Sequence, residues 1–132
     1  MLKYMLDTNI VIYVIKRRPI EALDTFNLHA GQMCISSVTL AELLHGAEKS
    51  VKPEHNLQQI EDFVSRLDVL EYGTKAAAHY GDIRAKLESK GATIGVNDLH
   101  IAGHARSEGL VLVTNNLREF ERVDALRLDN WV

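Results

Sequence analysis

Short apolar runs alternate along this chain with longer amphipathic stretches, and turn residues separate them. Residues 2–6 read as a first strand, 33–35 as a second and 69–72 as a third. Residues 110–114 form a continuous apolar run, the pattern of a strand covered on both faces. Helical patterns fill the spaces between, over residues 19–27, 37–49, 53–67, 74–90 and 97–108. Ile60, Phe63, Val64 and Leu67 make an apolar stripe on the third of these, and Gly91 and Gly109 are placed to end the last two. Pro19 and Pro53 stand where a helix can begin, in its first turn. Residues 10–16 read two ways. Their β-branched side chains favour a strand, whereas Asp7-Thr8-Asn9 before them is a helix-start signal.

Strands alternating with helices predict an α/β fold: a short parallel sheet between two layers of helices. No repeat, low-complexity segment or linker divides the chain, so residues 1–132 read as one domain. In such sheets ligands bind beyond the carboxyl ends of the strands, which directs attention to residues that directly follow a strand.

Four acidic residues meet or approach that condition. Asp7 ends the first strand, Glu42 lies early in the helix after the second, Asp98 opens a helix, and Glu119 follows the fourth strand. Each also has an ordinary structural reading. Asp7 suits a helix N-cap, Thr39 and Glu42 fit a capping box, Asp98 complements a helix dipole, and Glu119 suits a surface turn. Together the four can converge in one cleft, where their mutual repulsion needs compensation. Hard oxygen donors of this kind suit Mg²⁺ or Mn²⁺, and a cation so held can activate water against a phosphodiester. Ser36 and Ser37 lie in no nucleophile elbow, and no Gly-rich phosphate loop is present.

Composition narrows the picture further. The net charge is -3, so phosphate neutralisation over the whole surface is excluded, and RNA binding would need a local basic rim. Lys16, Arg17 and Arg18, with Arg106, Arg118 and Arg122, can supply one or can simply be solvated. Aromatics at 6% argue against a base-stacking platform. The lone cysteine, Cys34, reads as a buried, inert thiol. His100 and His104 share a helix face without a third ligand and read as polar helix positions, His100 as a neighbour of the site. The apolar run 10–15 is too short to span a bilayer and its flanking charges are wrong for a signal peptide, so a cytoplasmic protein is expected.

Several segments resemble the VapC toxins, which are PIN-domain endoribonucleases. They are Met5-Leu6-Asp7-Thr8-Asn9-Ile10, Ser36 through Leu43, Ile94-Gly95 with Asn97-Asp98 and Ile101-Ala102, and Leu112-Val113-Thr114-Asn115-Asn116 followed by Glu119-Phe120. They occur in the family's order and span nearly the whole chain. The resemblance implies a PIN-like three-layer sandwich and RNA cleavage by water activated at a divalent metal, Mg²⁺ or Mn²⁺, leaving 5′-phosphate and 3′-hydroxyl ends. Asp7, Glu42 and Asp98 match the family's core acids. Asp7 and Asp98 are the expected direct ligands, and Glu42 a ligand, a water-mediated ligand or the group that orients the nucleophile. Thr8, Asn9 and Thr114 are expected to shape the site by hydrogen bonds. Many PIN domains carry an aspartate where this chain has Asn116, and Glu119, one turn onward, is the expected substitute. The resemblance further implies a VapB-like antitoxin partner, an RNA substrate (transfer RNA by preference) and a toxin homodimer. Apolar positions on helices 37–49 and 53–67 can serve that dimer or fill the monomer core.

Two other readings remain. A receiver-type phosphoacceptor domain needs an acidic pair after the first strand and a lysine after a late one; the chain offers a single Asp7 and no lysine after residue 113. A catalytically inactive PIN-like binding module suits Asn116 but not the intact Asp7, Glu42 and Asp98.

Overall fold

The fold is organised by its first strand, β1 (Tyr4–Leu6), whose three residues are all buried because helices cover both of its faces. In the computed structural model, which describes residues 1–132, β1 is the centre of a five-stranded parallel sheet of order β3-β2-β1-β4-β5. The other strands are β2 (Met33–Ser36), β3 (Asp68–Leu70), β4 (Val111–Val113) and β5 (Leu128–Asp129). Pleating sends alternate side chains to opposite layers. Tyr4 and Leu6 join Ile35 and Val113 on one face, while Met5 joins Cys34 and Leu112 on the other.

The helices α1 (Thr8–Lys16), α2 (Ile20–Leu28), α3 (Ser37–Glu48) and α4 (Pro53–Val64) supply the first layer through Ile10, Val14, Phe26, Leu43 and Phe63. The second layer comes from α5 (Thr74–Ser89), α6 (Val96–Ser107) and the short α7 (Leu117–Phe120), with Ile83, Leu99, Ala102 and Phe120 packed inward. This is the expected three-layer sandwich.

Several boundaries shift for identifiable reasons. Residues 10–16 resolve as helix, because the Asp7 side chain caps α1 and Ile10, Val11 and Val14 fall on one buried stripe. Tertiary burial overrides the strand preference of the β-branched run. Pro19 is not in the first turn of α2; it precedes the helix in extended conformation, whereas Pro53 does stand at the start of α4. The capping box at Thr39 and Glu42 does not form. Ser36 is the N-cap of α3, its hydroxyl accepting from the Val38 amide, and Thr39 is buried within the helix. The edge strand β5 escaped the sequence reading, being too short for an alternation pattern. Most apolar residues of α3 and α4 enter the monomer core, leaving Leu44 exposed on α3 and Val51 exposed in the turn between the two helices. Cys34 is fully buried, and burial pushes its thiol up to about 12, in keeping with an inert side chain. No helix is long and apolar enough to cross a membrane.

The helices α5 and α6 approach closely at Gly103. A Cβ there would lie 2.9 Å from the Tyr80 amide nitrogen and 3.2 Å from the Ala76 carbonyl oxygen, and backbone cannot step aside as a side chain can. Gly103→Ala is expected to destabilise the protein by about 1–3 kcal/mol. Gly46→Ala, in a helix with open space around it, should be neutral or stabilising. Thermal denaturation of the two variants checks both.

Candidate active site

The strand order reverses at β1: the chain steps from β1 through β2 to β3, then returns to β4 on the other side. The crevice between the carboxyl ends of β1 and β4 is therefore the switch point at which such sheets bind ligands. Asp7 leaves β1 there and Thr114 leaves β4 there. The Thr114 hydroxyl donates to Asp7 Oδ2 at 2.5 Å, and Thr114 Oγ1 accepts from the Asn116 amide at 2.9 Å. Asp7 Oδ1 accepts from the Ile10 amide at 3.1 Å as the cap of α1. Asp7 is thus both the N-cap and a member of the acidic group. Burial raises its pKa; the hydrogen bonds from Thr114, Ile10 and Asn9 oppose that rise, and the charge of Glu42 adds to it.

Glu42 extends from α3 with both carboxylate oxygens held. Thr8 Oγ1 donates to Oε1 at 2.7 Å and Asn97 Nδ2 to Oε2 at 2.9 Å. Asp98 stands in the first turn of α6, half-buried, and its carboxyl is pushed up to about 6. Burial is the largest cause, followed by the charges of Asp7, Glu119 and Glu42. All four predicted acids therefore share one electrostatic neighbourhood, and none is paired with a lysine or arginine.

As the side chains stand, no three acidic, histidine or cysteine groups converge closely enough to ligate one ion. Asp7 is turned to Thr114 and Ile10, and Glu42 to Thr8 and Asn97. The donor set nonetheless fits a hard divalent cation in type and charge: carboxylate oxygens at a protein site with no internal counter-ion. Gathering ligands around a cation requires some of the other acidic side chains to turn toward Asp7.

Other expectations divide. Thr8 and Thr114 do shape the site by side-chain hydrogen bonds, whereas Asn9 and Asn116 contribute backbone amides. His100 is half-buried, bonded through Nδ1 to the Tyr72 hydroxyl at 2.8 Å and stacked on Tyr80. His104 is no surface position: it is 1% exposed, and its Nδ1 lies 2.7 Å from Ser36 Oγ. Burial lowers its pKa and favours the neutral ring. The His104–Ser36 bond ties α6, which carries Asp98, to the start of α3, which carries Glu42. Arg106 is withdrawn from any RNA-contacting role by bonds to His79, Asp82 and the Asp124 carbonyl, and Arg122 is bonded to the Thr93 carbonyl. Asn97, Ser36 and Tyr72 were not recognised from sequence as site or supporting residues. Their partners lie 28 to 68 positions away, beyond the reach of any local pattern.

The crowding of charge has a measurable cost. In the fold Asp98 keeps its proton up to about pH 6, against a reference value of 3.8. Its contribution is therefore favourable below 3.8 and is lost as the pH rises to about 6, so at neutral pH the ionised group weighs against folding. Asp98→Asn should stabilise the protein in EDTA at neutral pH by about 1 kcal/mol, discounted because the group is half exposed. The gain should shrink as the pH falls toward 5, and thermal denaturation at the two pH values reads it.

Comparison with known proteins places this geometry. The PIN domain family model matches residues 4–126. Ribonuclease VapC2 of Haemophilus influenzae is 68% identical over 132 residues, covering all of both chains. The tRNA(fMet)-specific endonuclease VapC of Shigella flexneri is 60% identical over 131 residues, 99% of each chain. The crystal structure of DNA-bound VapBC from Salmonella typhimurium superposes with a TM-score of 0.96 at 57% identity, covering all of both chains. The chain belongs to the PIN domain family and, within it, to the VapC ribonucleases.

Proposed function

We propose that this ribonuclease holds Mg²⁺ or Mn²⁺ at Asp7 and Asp98, with Glu119 as a weaker contributor, and uses Glu42 to orient the attacking water. The observation behind this reading is the set of carboxylates gathered at the switch point with no lysine or arginine partner, one of them raised by burial and further by the charges of the others. When bound, a divalent cation supplies the charge that acidifies water and offsets charge on the phosphate in its transition state.

The chain's own residues do the rest. Asp7 is fixed by the α1 cap and by Thr114, so its position is set before substrate arrives. Thr8 and Asn97 hold Glu42 by one bond to each oxygen, which leaves each oxygen free to accept from water. Ser36 and His104 keep the two helices bearing Glu42 and Asp98 in register.

The substrate class follows from the relatives. The Shigella flexneri and Salmonella typhimurium enzymes are tRNA(fMet)-specific endonucleases at 60% and 57% identity, so transfer RNA is the substrate assigned here. The VapBC complexes among the solved relatives support a VapB-like antitoxin as partner, and with it the role of toxin in a toxin–antitoxin pair.

Cleavage of purified transfer RNA, with Mg²⁺ or Mn²⁺ and again with EDTA, tests the site. Asp7→Asn is the informative variant, because asparagine preserves the helix cap that alanine would remove at a cost of about 1 kcal/mol. It should lose at least a hundredfold in rate with its melting temperature retained, while Glu119→Ala should lose less than Asp98→Ala. Undiminished cleavage by folded Asp7→Asn protein would sink the proposed centre.

Asn97 is a positioning residue in this scheme. Asn97→Ala frees one oxygen of Glu42 and should lower kcat by about tenfold, with little change in KM. A change confined to KM would instead place Asn97 in substrate binding.

A further inference from the structure

The arginines of this protein fall into two groups. Arg84, Arg106, Arg122 and Arg127 each donate hydrogen bonds to protein acceptors, and Arg66 makes a loose, exposed pair with Asp62 at 3.9 Å. Arg17, Arg18 and Arg118 have neither a hydrogen-bond partner nor an ion pair within the fold. Two of these three stand together at the end of α1, beside Lys16.

They line a cavity of about 580 Å³ between α1, α2 and α4, to which Lys16 and Arg66 also contribute; its one carboxylate is Asp62. A second cavity, of about 290 Å³, adjoins it through the shared residues Ile15, Lys16 and Gln59 and ends at Thr8 and Glu42. A continuous groove thus runs from the acidic site to the basic cluster. The nine residues of α1 separate its ends by about 14 Å, a distance that a few nucleotides of backbone span.

The backbone adds an independent sign. Arg17 closes α1 at φ 59, in the left-handed region that glycine occupies without penalty. An arginine there adopts a backbone conformation that costs an L side chain and that glycine would take without strain.

We propose that Lys16, Arg17, Arg18 and Arg66 form a phosphate-binding subsite for the RNA strand on one side of the cleaved bond, reached along the α1 groove. The low net charge of the chain makes such a local site necessary, since a surface at -3 does not attract a polyanion as a whole. An RNA strand is favoured over an acidic polypeptide because the groove opens directly onto the carboxylates of a ribonuclease. The inference rests on that location of the active centre.

The test uses the full-length chain freed of any partner. Binding of a transfer RNA is measured in EDTA across a salt series, and cleavage of the same RNA and of a dinucleotide is measured with Mg²⁺ or Mn²⁺. Arg17→Gly is the key variant, since it should raise the melting temperature while weakening RNA binding; Arg18→Gln is its companion. Each should weaken binding several-fold and flatten the log–log salt dependence by about 0.7. Dinucleotide cleavage, which cannot reach the groove, should be unchanged. Parent-like RNA affinity and salt slope in the double variant would overturn the subsite. So would retained RNA binding with lost affinity for an acidic peptide, which would give the groove to a protein partner. Failure of the acidic centre itself would show separately, as cleavage that survives Asp7→Asn.

Discussion

A carboxylate buried at the end of the central strand is the constraint on which the rest of the structure depends. Asp7 is 5% exposed, and a charge so placed is tolerated only if its oxygens are satisfied. One oxygen is satisfied locally by the first turn of α1, the other from β4, more than a hundred residues later. The second bond exists only because β4 returns to lie beside β1, with Leu6 in register with Val113. Sheet topology and site chemistry are thus one arrangement. The reversal of strand order opens the crevice, and the Thr114–Asp7 bond closes its floor.

Charge is distributed by the same logic. Several carboxylates away from the crevice are matched, among them Asp82 to Arg106 and Lys86, and Glu88 to Arg84. Those in the crevice have no such partner, and Asp98, raised first by burial, is raised further by the neighbouring carboxylates. Structural arginines are tied to carbonyls and carboxylates, whereas Arg17 and Arg18 stand unpartnered at the far end of α1 from the crevice. A fold selected for stability alone would pair these groups with one another. Keeping them apart is consistent with a site that meets a cation and a polyanion together.

Much of this was legible in the sequence, and the limits have physical causes. The four acids and Thr114 could be read because each follows a strand or opens a helix, and strand ends in a parallel sheet share one edge. The choice between cap and ligand for Asp7 could not be read, because it is not a choice: the cap uses Oδ1 and leaves Oδ2 facing β4. The helical state of residues 10–16 was undecided because local preference and tertiary burial disagree there, and burial prevailed. His104 read only as a polar helix position at i, i+4 from His100. Its burial depends on α6 packing against β2, a contact that no helical periodicity encodes. Asn97 was invisible as a clamp for the same reason, its partner being 55 residues distant.

The surroundings of Asn116 and Glu119 set how charge can be spread around the buried carboxylate. The backbone amide of residue 116 is bound to Thr114 Oγ1, whose own proton is committed to Asp7, so this position is rigidly coupled to the buried carboxylate. A negative charge on its side chain would join Asp7 and Asp98 in a crevice already short of positive charge. Placing the fourth carboxylate at Glu119 puts it on a four-residue helix with a longer, half-exposed side chain. From there it still acts on Asp98, as the raised pKa records, and its extra rotatable bond lets it withdraw when nothing positive is present. In the proposed metal centre, Glu119 would serve as an adjustable ligand beside the more firmly held Asp7. Adjustable ligands lose more freedom on binding a cation, which is the physical reason for ranking Glu119 below Asp7 and Asp98.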